Sequence, residues 1–254
     1  MINIALCGGY GKMGHAITDF AAQSDKFNIS YIIETPEKYL LTNLGMGIRL
    51  ADVIDHADID VVVDFTSPKS CLEHMKISVE NSKPFVTGTT GFSESETAEM
   101  KKTAEKGQVF YSPNFSPGVF ILGRLLGTIS ELAKNDYDIE ILEMHHSQKA
   151  DAPSGTALKL KDILLGSNPG YSVIYGRKGV SEPRSRSEIA IHTLRGGDVV
   201  GDHKVIFAGN GERLELTHKA VSRKTFASGV FKAVEFVVKQ QGNRLYGMED
   251  IFVK

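Results

Sequence analysis

The spacing of apolar residues changes character along the chain. INIALC (2–7) is a short apolar run that ends in glycines, the pattern of a strand buried on both faces of a parallel sheet. A helical period follows from about Lys12 to Gln23, with Met13, Ile17, Phe20 and Ala21 on one face. FNISYIIE (27–34) and DVVVDFT (60–66) read as the second and third strands. Residues 70–82 read as a helix, PFVTGTT (84–90) as a strand, 94–106 as a helix and QVFYSPN (108–114) as another strand. Strands alternating with helices at this spacing predict an α/β, Rossmann-like parallel sheet covered on both faces.

Beyond SPNFSPG (112–118) the pattern shifts. Residues 119–133 form a long amphipathic helix, and DYDIEILEMHH (136–146) alternates like a strand with one wet face. GTALKLKDILL (155–165) is helical, and several strand-like runs follow from 188 to 219. Asn210-Gly211 between two alternating runs is a strong hairpin signal. The second region is therefore expected to be an α+β domain with a mixed or antiparallel sheet. FASGVFKAVEFVVKQ (226–240) returns to helix and is expected to pack back on the first domain. The expected division is 1–115 with 224–254 in one domain and 116–223 in the other.

Composition narrows the class. The 254 residues carry a net charge of −2 with both signs interspersed, so no basic footprint for nucleic acid is expected. The most basic stretch, 177–186, contains Pro183 and serines and reads as a solvated loop. Cys7 and Cys71, the two cysteines, lie too far apart for metal-type spacing, which fits a reducing compartment. Arg124 interrupts the best apolar run, VFILGRLLG (119–127), and the N-terminal segment lacks a signal-type basic region. The expectation is a soluble cytoplasmic protein with no membrane partner.

Two segments carry chemistry. The first is CGGYGKMG (7–14), between the first strand and the first helix. Gly9, Gly11 and Gly14 fit G-x-G-x-x-G, and Gly8, Gly11 and Gly14 fit G-x-x-G-x-x-G. Small residues allow a tight turn and close approach of backbone N–H groups to a pyrophosphate at a helix N-terminus. Glu34 ends the second strand, where an acid binds a ribose 2′-hydroxyl. The competing reading is a glycine turn needed only for helix–sheet packing. No G-K-[ST] follows, so the turn is not a P-loop. Thr35-Pro36 follows Glu34 with no arginine for a 2′-phosphate, although Lys12 or Lys38 could reach one. That balance leans to NADH and leaves NADPH open. Gly88, Thr89 and Thr90 end a later strand, where backbone and hydroxyls suit a nicotinamide or its ribose, with an ordinary turn as the alternative. The segment 112–116 ends the next strand and is expected to be both hinge and cofactor contact.

The second is HHSQKADAPSGTA (145–157). Reduction of an unsaturated acceptor builds negative charge that a proton donor must quench, and histidine titrates nearest neutrality. His145 and His146 end a strand-like run and would face opposite ways, one toward the reacting carbon and one toward substrate. Lys149 adds a positive charge or a second proton. Ser154 or Thr156 can cap the following helix, and the free N–H groups of Gly155 and Thr156 make an anion site. A substrate with more than one carboxylate is expected. A partial metal site is disfavoured because no acidic or cysteine ligand stands at the needed spacing. His74, His192, His203 and His218 receive no role, Arg223 reads as surface, and the Gly-rich turn 195–203 reads as structural or interfacial.

EMHHSQKADAPSGTA (143–157) resembles the E-x-H-H-x-x-K-x-D-A-P-S-G-T-A signature of the 4-hydroxy-tetrahydrodipicolinate reductase (dihydrodipicolinate reductase) family at every specified position. GGYGKMG, VDFTSP, TGTTG, NFSPGV, RGGDVVGDH and SRKTFASG resemble further family blocks in family order. The resemblance implies NAD(P)H bound through Gly8, Gly9, Tyr10, Gly11, Lys12, Met13, Glu34, Gly88, Thr89, Thr90, Ser112, Pro113, Asn114 and Phe115. It implies His145 as proton donor or acceptor and Lys149 as proton donor. His146 with Gly155 and Thr156 would bind the substrate carboxylates. It further implies reduction of a cyclic dicarboxylate imine to tetrahydrodipicolinate, and a homotetramer formed through the second domain's sheets. The domains would close on each other, with hinges near 114–117 and 223–228. The family commonly has an arginine where Thr35 stands here. The alternatives are another Rossmann-fold amino-acid-pathway dehydrogenase, or a regulator that senses NAD(H) without turnover.

Overall fold

The computed structural model describes residues 1–35, 49–55, 58–133, 136–180 and 182–252; Lys38 lies outside them. The chain divides into two compact units, residues 1–116 with 223–254, and residues 117–222.

Unit 1 is built on β1 (Ile2–Cys7), β2 (Phe27–Ile33), β3 (Val61–Asp64), β4 (Phe85–Thr87), β5 (Gln108–Tyr111) and a C-terminal strand (Arg244–Tyr246). They form one sheet in the order C-terminal strand, β5, β4, β3, β1, β2, with every pair parallel. Strand order reverses direction at β1, the point at which an open α/β sheet leaves a crevice beyond its carboxyl ends. Ile4, Ala5, Leu6 and Cys7 of β1 and Val61, Val62 and Val63 of β3 are completely buried. Burial on both sides is why these strands read as unbroken apolar runs rather than alternating ones. The helices are α1 (Lys12–Ala21), a single turn α2 (Leu50–Val53), α3 (Pro68–Glu80) and α4 (Glu94–Ala104). After unit 2 the chain returns through a helix (Lys224–Val237) whose Phe231 stacks on Phe20 of α1 at 4.8 Å and meets Phe27 of β2 at 4.4 Å. Gly229 lets the same helix approach the backbone at Phe115, since a Cβ there would fall 1.7 Å from the Phe115 carbonyl oxygen.

Unit 2 begins with α5 (Pro117–Leu132), followed by β6 (Asp138–His145), α6 (Gly155–Ser167), β7 (Ser172–Tyr175), β8 (Glu188–Arg195), β9 (Gly201–Ala208) and β10 (Arg213–Ala220). The helix returning to unit 1 is α7, the C-terminal strand is β11, and a last turn α8 spans Met248–Phe252. The sheet order is β10-β9-β6-β8-β7. β9 pairs antiparallel with β10 and β6, whereas β6, β8 and β7 run parallel, so the sheet is mixed. The core of this unit joins Leu122 and Leu126 of α5, Leu160 and Leu164 of α6, and Ile139, Ile141, Ile189, Ile191, Val205 and Phe207 of the sheet. The alternation in β6 therefore has a direct cause: odd positions face the helices and even positions face away.

The outward face carries Glu140, which accepts from Arg177 (2.9 Å), Arg184 (3.0 Å) and His192 (2.7 Å). Burial alone would push its carboxyl up, but the hydrogen bonds from Arg177, His192 and Arg184 hold it below the ordinary range. Among the described residues no helix is long and apolar enough to cross a membrane.

Candidate active site

The buried face of the unit 2 sheet changes chemistry within a few residues. Along β6 the inward positions read Ile139, Ile141, Glu143, His145; along β8 they read Ile189, Ile191, Thr193, Arg195; along β9, in reverse, Phe207, Val205, His203, Gly201. Strand pairing sets these in register, with Glu143 opposite Thr193 and His203, and His145 opposite Arg195. One end of the face is hydrocarbon and the other is ionisable.

Glu143 organises the polar end. Its carboxylate is fully buried. Arg195 grips it with two bonds, Nη1 to Oε2 at 3.1 Å and Nη2 to Oε1 at 3.0 Å. His145 donates from Nδ1 at 2.5 Å, Thr193 Oγ1 at 3.1 Å and the Ser154 N–H at 3.1 Å. Burial would raise the Glu143 carboxyl, but these donors, led by Arg195, hold it below its usual range. Burial pushes the His145 imidazole down; Glu143 offsets part of that, while Lys149 and Arg195 add to it. The ring of His203 lies edge-on to that of His145, with centroids 5.1 Å apart. Burial first, and then the charge of His145, depress His203 to about 4. Nδ1 of His145 is committed to Glu143, which leaves Nε2 as its remaining proton-carrying atom. Gly201 borders that atom, since a Cβ there would come within 3.0 Å of it.

β6 ends at His145, so half-buried His146 already lies past the strand. The loop that follows is fastened by Arg195, which donates to the carbonyls of Asp151 (2.5 Å) and Lys149 (3.3 Å). Lys149 Nζ pairs with Asp151 at 2.8 Å. Of the two candidate caps for α6, Ser154 is the one used: its Oγ accepts from the Ala157 N–H at 3.2 Å and lies 3.2 Å from His203 Nε2. Gly155 and Thr156 occupy the first turn of α6, with Gly155 exposed and Thr156 half-buried. His145, Lys149, Ser154 and the α6 terminus thus belong to one local assembly in unit 2, tied together by Glu143 and Arg195.

Three residues of this assembly had been given no chemical part by sequence reasoning: Glu143, Arg195 and His203. The two ends of the turn at 195–203 supply the partner of Glu143 and the neighbour of His145. The expectation that no acid stands at ligand spacing from the His pair is also corrected. Glu143 lies two residues before His145 on the same face, and Glu143, His145 and His203 hold ligand atoms within 4.8 Å of one another. Arg195 nevertheless occupies both oxygens of Glu143, and a metal cation would have to displace a guanidinium to bind there.

In unit 1 the glycine turn separates into two kinds of position. A Cβ at Gly8 would meet the Phe65 carbonyl oxygen at 2.5 Å, one at Gly9 would meet Ile32 at 2.6 Å, and one at Gly14 would meet the Gly9 carbonyl oxygen at 2.3 Å. Packing alone explains those three. At Gly11 the nearest atom is 3.3 Å away, and no side chain caps α1 there. Packing presses on Gly11 less than on the other three, and an uncapped α1 terminus fits a diphosphate. Glu34 Oε1 accepts the Tyr10 N–H at 2.9 Å, which ties the acid to the turn. Lys12 is exposed and Met13 half-buried. A cleft of about 650 Å³ opens beside Glu34 and Thr35, bordered also by Arg49, Leu50, Thr66 and His74. Arg49 and His74 are additions to the sequence-derived set.

The later turns divide differently. Thr90 is exposed, but Thr89 is buried and its hydroxyl donates to Asp64 at 3.0 Å. The Thr89 hydroxyl is thus committed inside the unit, whereas Thr90 is open to solvent. Gly88 lies under the Phe65 ring, where a Cβ would clash at 2.3 Å. Ser112 donates to the Asn114 carbonyl at 2.7 Å, Pro113 is exposed, and Phe115 is a core residue packed on Phe65 and Phe110.

Comparison with known proteins agrees with this layout. Residues 2–115 match a family model described as Dihydrodipicolinate reductase, N-terminus, and residues 118–252 match one described as Dihydrodipicolinate reductase, C-terminus. Relatives named 4-hydroxy-tetrahydrodipicolinate reductase from Methanococcus aeolicus and Methanocaldococcus jannaschii are 40% and 41% identical, over 99% of this chain and 98% and 97% of theirs. Dipicolinate-bound dihydrodipicolinate reductase from Paenisporosarcina sp. TG-14 aligns with a TM-score of 0.77 and 28% identity over 99% of both chains. GenD2 from gentamicin A biosynthesis, solved in complex with NAD, shares the fold at 12% identity and a TM-score of 0.62, over 96% of this chain and 88% of that one. With both halves matched in order and relatives alike along their full length, the chain belongs to the dihydrodipicolinate reductase family of enzymes.

Proposed function

We propose that the protein is a 4-hydroxy-tetrahydrodipicolinate reductase, which reduces a dihydrodipicolinate-type cyclic imine to tetrahydrodipicolinate with NADH or NADPH in diaminopimelate and lysine biosynthesis. The observation that carries the reading is the Glu143–His145–Arg195 assembly with Lys149 beside it at the start of α6. It supplies proton carriers and anion-binding groups from one polar sheet end, as a doubly anionic substrate requires. The bound nicotinamide supplies the hydride. Gly8 to Met13, Glu34, Gly88 to Thr90 and Ser112 to Phe115 are the residues proposed to hold it. In unit 2, His146 and the N–H groups of Gly155 and Thr156 take the carboxylates, which leaves His145 and Lys149 to deliver a proton to the charge that reduction creates. Glu143 fixes the His145 tautomer, and Arg195 offsets the buried carboxylate. We further propose that the protein is cytoplasmic and associates as a homotetramer through the outward face of the unit 2 sheet. That face offers Leu142, Met144, Leu194 and Ile206 beside the Glu140 ion cluster.

The direct test supplies the condensation product of pyruvate and aspartate semialdehyde with NADH, and separately with NADPH, and follows nicotinamide absorbance. Oxidation is expected with at least one cofactor. Oxidation only with a different carbonyl acid would point to another dehydrogenase, and binding without oxidation to a sensor.

Glu34→Ala tests the ribose contact. The carboxylate bonds a 2′-hydroxyl but repels a 2′-phosphate, so its loss should raise the NADH KM by about tenfold or more relative to that of NADPH. Equal changes would place the ribose contact elsewhere.

Dipicolinate, the ligand of the Paenisporosarcina enzyme, tests the proton inventory. His145 is held down by burial and faces Glu143 on its own strand, Arg195 on β8, His203 on β9 and Lys149 on the loop. A bound dianion favours the imidazolium and raises that depressed value, so binding takes up protons and tightens as pH falls toward the depressed value. Calorimetry in buffers of different ionisation enthalpy reads the uptake directly. Binding heats independent of buffer would remove His145 from the anion site.

A further inference from the structure

Asp64, at the end of β3, is a buried acid outside the proposed cofactor contacts. It is completely inaccessible, yet it accepts from donors on three pieces of chain. The Thr66 N–H (3.1 Å) and Oγ1 (2.9 Å) come from the turn after β3, Thr89 Oγ1 (3.0 Å) from the turn after β4, and His74 Nδ1 (2.7 Å) from α3. The ring is closed by the Thr66 N–H, which also lies 3.1 Å from Thr89 Oγ1. A carboxylate deep in a unit whose neighbouring positions are valine and cysteine is expensive, and an apolar residue would fill the volume at lower cost. Its donors have a shared location. Thr66 and His74 both border the cleft that also carries Glu34, and Thr89 belongs to the turn proposed for the nicotinamide side.

We propose that Asp64 and His74 are positioning residues for the dinucleotide. Asp64 locks the turns after β3 and β4 in mutual register, and its bond to His74 Nδ1 ties α3, at the border of the cleft, to those turns. This inference rests on the reading of unit 1 as the cofactor-binding unit. The buried thiol of Cys7 is a neighbour of Asp64 and His74, with its Sγ and their ligand atoms within 4.8 Å of one another.

The experiment titrates the full-length protein with NADH by fluorescence, comparing wild type with Asp64→Asn, His74→Leu and His74→Asn. Asp64→Asn and His74→Leu are expected to weaken NADH binding by about tenfold or more, the scale of a lost hydrogen bond to a charged group. In His74→Asn the amide nitrogen stands where Nδ1 stood, and affinity should return to within about threefold of wild type. The KM for the dicarboxylate, bound in the other unit, should move by less than about twofold in all three. If Asp64→Asn fails to fold by circular dichroism, the His74 pair decides alone. A folded His74→Leu with wild-type NADH affinity would overturn the proposal, as would equal losses in His74→Leu and His74→Asn. Failure of the wild type itself to bind either nicotinamide would instead strike the cofactor reading on which the proposal stands.

Discussion

Glu143→Gln should lower kcat by at least about 10²-fold, the scale of losing an oriented proton carrier, while NADH affinity stays near that of wild type. Glutamine matches glutamate in shape but brings an amide donor to a place where five hydrogen bonds converge on an acceptor. One amide nitrogen must then face Arg195 or His145, donor to donor. Two consequences follow that a simple packing defect would not produce together. Glu143 is the group that raises His145 against burial, so its neutralisation leaves the downward influences of burial, Lys149 and Arg195 unopposed. The imidazolium becomes harder to form, and the acidic limb of the kcat/KM profile should move to lower pH. Arg195, half-buried, also loses its counter-charge. Breaking a buried pair from one side typically costs about 3–5 kcal/mol. At about 2–4 °C per kcal/mol, Tm should fall by roughly 10 °C. An unaltered pH profile in a folded Glu143→Gln would show that Glu143 does not act through His145.

Lys149→Ala should separate from this pattern. Among the described residues its ammonium pairs with exposed Asp151, at 2.8 Å, and makes no hydrogen bond to Glu143. Because Asp151 is open to solvent the pair is screened and contributes about 0–1 kcal/mol, so Tm should stay within about 3 °C of wild type. Turnover should nevertheless fall by about 10²–10³-fold, because a proton donor and a charge facing the anionic substrate are lost together. NADH affinity, a property of unit 1, should be unchanged. Lys149→Arg restores the charge but not a transferable proton, since guanidinium does not give one up near neutral pH. It should therefore recover the dicarboxylate KM more than kcat. Turnover unchanged in Lys149→Ala would remove the residue from the mechanism.

How much of this was legible in the chain differs by element. Fully buried strands announce themselves as apolar runs, so β1 and β3 stood out, as did the glycine turn and the Asn210-Gly211 hairpin. β11 has three residues and β7 four, and each takes its identity from a single parallel neighbour, 136 and 16 positions away, which no local pattern records. The site shows the same division. His145, Lys149 and the α6 start are contiguous and were readable as a motif. Arg195 reaches Glu143 across 52 positions, and only the parallel pairing of β6 with β8 brings them face to face. Glu143 left a usable trace, because it falls in phase with Ile139 and Ile141, and a charge on the apolar phase of a strand signals a partner. His203, in phase with Val205 and Phe207, left the same trace.

The replacement of hydrocarbon by ionisable side chains along three adjacent strands sets Glu143, His145, Arg195 and His203 on regular strand backbone. Their precision is borrowed from the oily interior one pleat away, and a methylene added or removed at Ile141 or Val205 travels along rigid backbone toward His145 or His203. In this half of the molecule, redesign for heat resistance and redesign for substrate scope would draw on the same few positions.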